Sequence, residues 1–595
     1  MRKRVRPLGV MLKVAFEADP LRATLSIVLN IISALASVLS SVWLRDLTNA
    51  AVHHHMGDVW RAAAGEGITV AAAVFAGWTG FTLSMALREK TGALLDQRLI
   101  ELTAGIPGLE HHERPDYLDK IEVLRRQRDQ LASASEAIVQ NIAVLVGVFT
   151  TVGLLASLHP ILILLPLFGI PSIIAGAKSE QLRQKAADDT AEGMRVTRHL
   201  LELATTAGPG KELRIFGLGR HLIDRHHQVW HDTDLVQDKA QVKATLMSGS
   251  GWMVFGLGYV GAIALVAERA VQGHGDVGSV VMAITLAAQV NQQVAGAVGM
   301  MTWMLSSLKT VGRYLWLVDY AAEAARPPSH PLAAPDRMER GLDLTDVAFR
   351  YPGTEVDILH DVNLHLPAGS TVAVVGENGA GKSTFIKLLC RFYEPTSGSI
   401  TADGIALSQI APDEWRDRMS AGFQDFARLE LAAGQTVGVG DLPYLDDEPV
   451  VVGALARAGA DTVMPTLPQG LQTQLGKSFD DGVELSGGQW QKLALGRAMM
   501  RENPLLLVLD EPTASLDAET EYALFERYAG AARRVSNETG AITVLVSHRF
   551  STVRMADLIV VIDGGTVAEA GSHAELLARD GLYAELFELQ ARAYR

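Results

Sequence analysis

Long apolar segments dominate the first 325 residues of the chain, and shorter apolar segments alternate with polar ones after that point. Each long segment is close to the roughly 20 residues that a helix needs to cross a hydrocarbon layer of about 30 Å. The six segments lie at about residues 23–44, 68–87, 138–157, 161–177, 245–266 and 278–303. The pattern predicts an α-helical membrane domain with six transmembrane helices over residues 1–325.

Basic residues are concentrated in two long polar connections, residues 88–137 and 178–244, whereas the other connections are short and poor in Lys and Arg. Because Lys and Arg favour the cytoplasmic side, we expect both long connections and both chain ends to be cytoplasmic. Their helical periodicity indicates that the membrane helices continue into the cytoplasm. The net charge of −14 argues against a nucleic-acid partner.

A proline-rich segment marks the boundary between two kinds of pattern. Residues 326–340 include four prolines and predict a linker. After it, strand and helix patterns alternate, which predicts an α/β nucleotide-binding domain over residues 341–595. The one cysteine, Cys390, excludes an internal disulfide, and its apolar neighbours predict a packed side chain.

A phosphate-binding loop lies between an apolar strand, residues 371–375, and a helix, residues 385–390. The spacing Gly-x-x-x-x-Gly-Lys-Ser in this strand–loop–helix context predicts that backbone N–H groups surround the phosphates of a nucleoside triphosphate. We expect Lys382 to reach the β- and γ-phosphates and Ser383 to hold Mg²⁺. The loop consists of Gly376, Glu377, Asn378, Gly379, Ala380, Gly381, Lys382, Ser383 and Thr384.

Two further motifs fit the same chemistry. An apolar strand over residues 505–509 ends in Asp510, which could reach the metal, and in Glu511, which could polarise an attacking water. Ser486, Gly487, Gly488 and Gln489 open another helix, where N–H groups could bind a second phosphate. An ordinary helix cap with flexible glycines is the alternative for this second motif.

Together these motifs resemble those of the ATP-binding-cassette (ABC) transporters, and the resemblance extends over the whole chain. It indicates a type I exporter-like half-transporter, in which one membrane domain is fused to one P-loop nucleotide-binding domain. Leu485 to Gln489 resemble the family's signature motif, and residues 515–517 resemble its D-loop. The remaining matches are Gln424 with the Q-loop, Asp517 with the D-loop aspartate, His548 with the switch histidine and Tyr351 with the adenine-stacking aromatic.

The resemblance implies a mechanism that needs two chains. ATP and Mg²⁺ would lie between the phosphate loop of one chain and the signature motif of a second subunit, identical or related. Ser383, Gln424 and Asp510 would hold the metal, while Glu511, His548, Gln424 and Asp517 would serve catalysis. Short transverse helices at residues 112–117 and 211–216 would transmit the change to the membrane helices, or these residues are solvated loop.

The cargo is less well defined than the nucleotide. Residues 476–484, together with the string from Gln489 to Lys492, are similar to those of exporters of lantibiotics and related peptides. We therefore expect export of an amphipathic peptide or drug-like compound across the bacterial cytoplasmic membrane. A lipid flippase and an importer on an exporter fold are the alternatives, and a channel or regulator is disfavoured. Four amide side chains in the sixth span would contact cargo or form hydrogen bonds with neighbouring helices: Gln289, Asn291, Gln292 and Gln293. Large apolar side chains that would suit an amphipathic cargo follow them: Met300, Met301, Trp303 and Met304.

Overall fold

A computed structural model of the chain describes residues 2–126, 128–206, 208–273, 275–328, 330–511, 539–547 and 549–593. The chain forms two compact units. The first consists of Met1–Thr103 and Lys120–Asp319, and the second of Ala104–Asp119 and Tyr320–Arg595. The second unit therefore includes a short stretch from the first cytoplasmic connection as well as the predicted nucleotide-binding domain.

The regular elements that the structure describes in the N-terminal half of the chain are all helices. Its elements are α1 (Arg2–Ala18), α2 (Pro20–Val52), α3 (Met56–Ala104), α4 (Glu110–Glu113), α5 (Pro115–Arg126), α6 (Arg128–Leu158), a 3-10 helix (Pro160–Gly169), α7 (Ile170–Asp189), α8 (Ala191–Thr205), α9 (Gly210–Ile215), α10 (Gly219–Val271) and α11 (Val277–Ala324). At 1.5 Å per residue, the 53-residue α10 is about 80 Å long, far more than a hydrocarbon layer. The membrane helices therefore continue beyond the bilayer, as the periodicity predicts.

The helices agree with the predicted spans in most but not all cases. Among the described residues, four segments are long and apolar enough to cross a membrane: Pro20–Val52, Met56–Ala104, Pro160–Asp189 and Gly219–Val271. A fifth apolar segment, Ile142–Leu158, is shorter. The sixth predicted span falls within α11, and part of that helix has side chains outside the described set.

Polar side chains inside the predicted spans join helices to one another. The Gln289 amide donates to the backbone oxygen of Ser37 (2.7 Å), and the Gln293 amide donates to the Thr151 hydroxyl (2.9 Å). The Ser40 hydroxyl donates to Glu66 (2.7 Å). These contacts favour the helix–helix interpretation for Gln289 and Gln293, because hydrogen bonds between helices satisfy amides that lipid cannot.

The second unit contains two sheets. Their strands are β1 (Gly341–Phe349), β2 (Leu359–Pro367), β3 (Thr371–Val375), β4 (Ser397–Ala402), β5 (Ile405–Ala406), β6 (Met419–Gly422), β7 (Leu506–Asp510), β8 (Ile542–Val546), β9 (Leu558–Asp563) and β10 (Thr566–Gly571). One sheet has the antiparallel order β2-β1-β4-β5. The other has the order β10-β9-β3-β8-β7-β6 and is parallel from β9 to β6. This confirms the α/β prediction for the second domain.

Helices cover these sheets and contribute large side chains to their cores. They are α12 (Lys382–Leu389), α13 (Pro412–Asp417), α14 (Ala433–Gly438), α15 (Glu448–Arg457), α16 (Gly487–Ala498), α17 (Phe550–Val553), α18 (His573–Arg579) and α19 (Leu582–Ala593). One core lies around Phe385 and Trp415 with the strands, and a second lies around Trp490 of α16. Cys390 is buried in the first core, as the sequence predicts, and burial raises the pKa of its thiol to about 12.

Candidate functional site

The parallel sheet brings the predicted phosphate and metal residues to one edge. The phosphate loop follows β3, Asp510 ends β7, and Gln424 lies two residues after β6. The strands β3, β8, β7 and β6 are neighbours in that order and run parallel. Because parallel strands end on the same side, residues separated by more than a hundred positions in sequence meet there.

Backbone geometry explains the glycines of the loop. Gly376, Gly379 and Gly381 have φ of 152°, 85° and 108°, a region that favours glycine. A Cβ atom at Gly376 would lie 2.1 Å from the backbone oxygen of Ile562, closer than any real contact. The loop can therefore keep its turn only with glycine at this position, and its backbone N–H groups stay accessible to a phosphate.

Lys382 is fixed inside the loop. Its ammonium donates to the backbone oxygens of Gly376 (2.9 Å) and Glu377 (2.8 Å), and the residue is only 7% exposed. Burial lowers the pKa of Lys382, whereas the negative charges of Glu511 and Asp510 act in the opposite direction. An ammonium has three N–H donors, so two loop contacts orient it and leave donor capacity for a phosphate oxygen.

Glu511 has an unusual backbone conformation. Its φ is 44°, in the left-handed region that costs a non-glycine residue free energy, and its N–H donates to the backbone oxygen of Val546 (3.0 Å). The residue directly follows the buried strand β7, which ends at Asp510. At Glu511 the chain thus turns away from the direction of β7, and the carboxylates of Asp510 and Glu511 line the same cavity.

Tyr351 lies on the other side of the cavity and contacts α12. Its hydroxyl is 3.1 Å from the Thr384 hydroxyl and accepts a hydrogen bond from the Lys387 ammonium (3.2 Å). Its ring packs edge-on against Phe349 and Tyr393, with centroids 4.9 and 5.4 Å away. The predicted adenine-stacking residue is therefore held by packing and by hydrogen bonds to the helix that follows the phosphate loop.

These residues surround one cavity of about 570 Å³ within the second unit. Its size and its mixture of backbone N–H groups, one ammonium and two carboxylates fit a nucleoside triphosphate with a divalent cation. Oxygen ligands from Ser383, Gln424 and Asp510 are of the kind that Mg²⁺ prefers. The lining consists of Tyr351, Ile358, Asn378, Gly379, Gly381, Lys382, Ser383, Thr384, Gln424, Asp510, Glu511 and Val546.

The structure does not place the second predicted phosphate site in this cavity. Ser486 caps α16: its hydroxyl accepts from the Gln489 N–H (3.3 Å), and the Gln489 side chain accepts from the Ser486 N–H (2.8 Å). Around Gly487 and Gly488 there is open space where a Cβ atom would lie. Within one chain this motif is a capping box, and its glycines leave the helix N-terminus accessible to another molecule.

Two predicted residues, His548 and Asp517, lie outside the part of the chain that the structure describes. Two lining residues that sequence reasoning missed are Ile358 and Val546. Val546 is the last residue of β8, which lies between β3, before the phosphate loop, and β7, which ends at Asp510. A prediction of the strand order could therefore have placed Val546 at the cavity. Ile358 lies in an ordinary turn before β2, and no sequence signal distinguishes it.

Comparison with known proteins agrees with this geometry. Residues 359–514 match the ABC transporter family. The chain is 37% identical over 333 residues to an ATP-dependent lipid A-core flippase of Ralstonia nicotianae, a match that covers 52% of this chain and 54% of the flippase. It is 38% identical over 261 residues to a probable multidrug resistance ABC transporter ATP-binding/permease protein of Bacillus subtilis, covering 44% of this chain and 43% of that protein.

The matches therefore span about half the length of these curated relatives. A solved structure of a bacterial Atm1-family ABC exporter with ATP bound superposes with a TM-score of 0.79, although only 22% of residues are identical. That superposition covers 96% of this chain and 99% of the exporter. The chain thus combines an ABC transporter domain, a domain that binds ATP, with the fold of an ABC exporter.

Proposed function

We propose that this chain, which has an ABC transporter domain on the fold of an exporter half-transporter, uses ATP hydrolysis to export an amphipathic compound across the bacterial cytoplasmic membrane. One observation supports this most strongly. Lys382, Gln424, Asp510 and Glu511 surround a single cavity, in a chain whose other unit has helices apolar enough to cross a membrane. A cavity with these groups suits phosphoryl transfer to water, and the apolar helices suit transport.

The residues have separable tasks in this proposal. The phosphate loop and Lys382 bind the phosphates, and Tyr351 stacks on the adenine. Mg²⁺, held by Ser383, Gln424 and Asp510, would neutralise charge on the β- and γ-phosphates. Glu511 accepts a proton as a water oxygen bonds to the γ-phosphorus, and the bridging bond to ADP breaks.

A second subunit would complete each site. Among the described residues, Ser486 and its glycines lie outside the cavity that contains Lys382. The short helix α9 also ends in two exposed apolar side chains, Ile215 (78%) and Phe216 (68%). Exposed apolar groups of this size indicate a surface that another chain covers. A head-to-tail dimer accounts for both observations.

A lipid is the second candidate cargo. It is favoured by the similarity to lipid A-core flippases, and the similarity to a multidrug transporter favours a drug-like or peptide cargo. Both kinds of cargo are amphipathic. The polar contacts inside the membrane unit do not separate them, since Gln289 and Gln293 bond to neighbouring helices.

The catalytic assignment is tested with Glu511→Gln in the full chain, reconstituted in lipid nanodiscs. Removing a positioned general base lowers such a rate by about 10²- to 10⁴-fold, so we expect ATPase activity to fall at least about 100-fold while ATP still binds. Glu448→Gln is the control, because Glu448 is an exposed acid in the first turn of α15. Wild-type turnover by Glu511→Gln would contradict the assignment.

The cargo class is tested with the same reconstituted chain. ATPase activity is measured against a synthetic amphipathic peptide, a hydrophobic cationic dye and lipid A, each over a range of concentrations. Saturable stimulation by the peptide or the dye, with transport into sealed vesicles, supports an exporter of soluble amphiphiles. Stimulation by lipid A alone, with its movement between leaflets, supports the flippase instead.

A further inference from the structure

A chain of three contacts leads from the phosphate loop to the first cytoplasmic connection, all within the second unit. Thr384, next to the magnesium-binding Ser383, is 3.1 Å from the Tyr351 hydroxyl. That hydroxyl accepts from the Lys387 ammonium at 3.2 Å, and the same ammonium donates to the Glu113 carboxylate at 2.8 Å. One cation therefore binds the nucleotide-facing tyrosine and helix α4 together.

The position of Lys387 makes its contacts stronger than those of a surface lysine. Its side chain is 29% exposed, and its ammonium lies 5.1 Å from the Tyr351 ring centroid and 5.7 Å from that of Tyr393. Burial lowers the pKa of Lys387, but the hydrogen bonds that its ammonium donates to Glu113 and Tyr351 outweigh burial and hold the pKa above its ordinary value. Lys387 is therefore charged at neutral pH, and partial burial limits screening by solvent.

Other contacts anchor the same stretch without Lys387. The Leu109 N–H donates to the backbone oxygen of Phe392 (3.2 Å), and the Leu109 side chain packs against the first core. His111 is 2% exposed and packs edge-on against Tyr117 with ring centroids 4.9 Å apart. Loss of the Lys387 contact should thus leave residues 104–119 packed against the first core. An experiment can therefore separate the anchoring of these residues from their response to ATP.

Stacking of an adenine on Tyr351 restricts the position of the tyrosine ring and hydroxyl, and therefore that of the ammonium bonded to it. Because Lys387 shares its donors between Tyr351 and Glu113, a change at one partner alters the free energy of the contact with the other. Such coupling between two sites is reciprocal. The position of α4 should thus also influence nucleotide affinity.

We propose that Lys387 is a positioning residue that transmits nucleotide occupancy from Tyr351 to Glu113 of helix α4. The inference rests on the proposed function, since it requires that ATP binds this cavity. The hydrogen bonds of the Lys387 ammonium go to Tyr351 and Glu113. Its proposed role is therefore in communication and not in hydrolysis. The first cytoplasmic connection would sense ATP through this one ion pair.

The test uses the full chain in nanodiscs with Glu511→Gln as the parent, so that ATP stays bound. Hydrogen–deuterium exchange of peptides covering residues 104–119 is compared with and without ATP. We expect ATP to change exchange there in the parent, and Lys387→Met to reduce that change at least about threefold, as for a lost coupling contact. Because the coupling is reciprocal, the affinity for ATP should also weaken in Lys387→Met, but by about threefold at most, so that saturating ATP still fills the site.

Matched variants separate a relay from a general weakening of the fold. Glu113→Gln should reduce the ATP-induced change as Lys387→Met does, and the double variant should show no further reduction, because both remove the same ion pair. Glu502→Gln is the control: it breaks the Arg457–Glu502 ion pair of 2.9 Å elsewhere in the same unit and should leave the change intact. Leu109→Ala provides the exchange pattern of an undocked stretch.

Three outcomes would overturn the proposal. The ATP-induced change could persist in Lys387→Met, or the effects of Lys387→Met and Glu113→Gln could add. Lys387→Met without ATP could also exchange like Leu109→Ala, which would make Lys387 an anchor only. Failure of the parent to bind ATP would refute the proposed function together with the relay, whereas each of the first three outcomes leaves ATP binding intact.

Discussion

His111, in helix α4, is an example of a residue whose chemistry is set by burial. It is 2% exposed, and neither ring nitrogen has a hydrogen-bond partner among the described residues. Its ring contacts that of His112 at a tilt, with centroids 4.0 Å apart. Burial, with a smaller contribution from His112, lowers the pKa of His111 from 6.5 to about 4. The folded protein therefore keeps this histidine neutral.

This shift predicts a pH dependence with a definite sign. Between pH 6.5 and about 4 the unfolded chain binds a proton at His111 that the folded chain does not, so the contribution to stability is lost as the pH falls through that window. We expect the midpoint of thermal unfolding to fall less on acidification in His111→Phe than in the wild type. His199→Phe, at an exposed position of helix α8, is the control, and equal pH profiles for all three proteins would count against the interpretation.

At the scale of elements, helix α16 depends on its first residue. Ser486 and Gln489 form a capping box, and one turn further Trp490 is 2% exposed in the second core. Ser486→Ala removes the cap, which typically costs about 1 kcal/mol and would lower the unfolding midpoint by roughly 2–4 °C in a domain of this size. Ser486→Thr keeps a capping hydroxyl and should retain most of that stability; scanning calorimetry of the full chain compares them.

The same substitution separates structure from nucleotide chemistry. If Ser486 also contacts the phosphates bound by a second subunit, Ser486→Ala should reduce ATPase activity at temperatures far below its unfolding midpoint. Loss of activity only near unfolding would make the motif a helix cap alone. Sequence analysis left these two interpretations open, and the single chain demonstrates the cap.

At the scale of the whole molecule, a composite site can be tested by mixing defective chains. Lys382→Met removes the phosphate lysine, and Ser486→Arg blocks the signature helix, so each homodimer would have two defective sites. A head-to-tail heterodimer of the two would have one intact site, because that site takes its lysine and its serine from different chains. Each heterodimer would have one intact site of two, so about half of wild-type ATPase activity is expected from purified heterodimers if the sites act independently.

The measurement is ATPase activity of coexpressed, differently tagged chains purified through both tags, compared with each variant alone. Activity in the doubly tagged sample and in neither homodimer supports the two-chain site. Absence of activity in that sample, although both chains bind to one another, would mean that each site is built within one chain.

The residues around the phosphate loop were predictable because their chemistry is local. Gly376 and Gly381 need positive φ whatever surrounds them, and a lysine next to them in a strand–loop–helix pattern has few other uses. The apolar strand before Asp510 was equally clear, since a buried parallel strand is apolar along its whole length. The membrane helices follow from the length of apolar segments, although the precise number of spans does not.

Only the tertiary structure decided which residues that are far apart in sequence contact one another. Glu113 and Lys387 are separated by 274 positions, and no periodicity or spacing indicates that a sheet and a short helix bring them within 2.8 Å. The φ of Glu511 and the bonds of Gln289 to Ser37 likewise depend on neighbouring strands and helices. Sequence by itself thus determined the local chemistry and the apolar segments, because both depend on adjacent residues. Packing decided which of those groups contact one another, because such contacts depend on which distant segments the fold brings side by side.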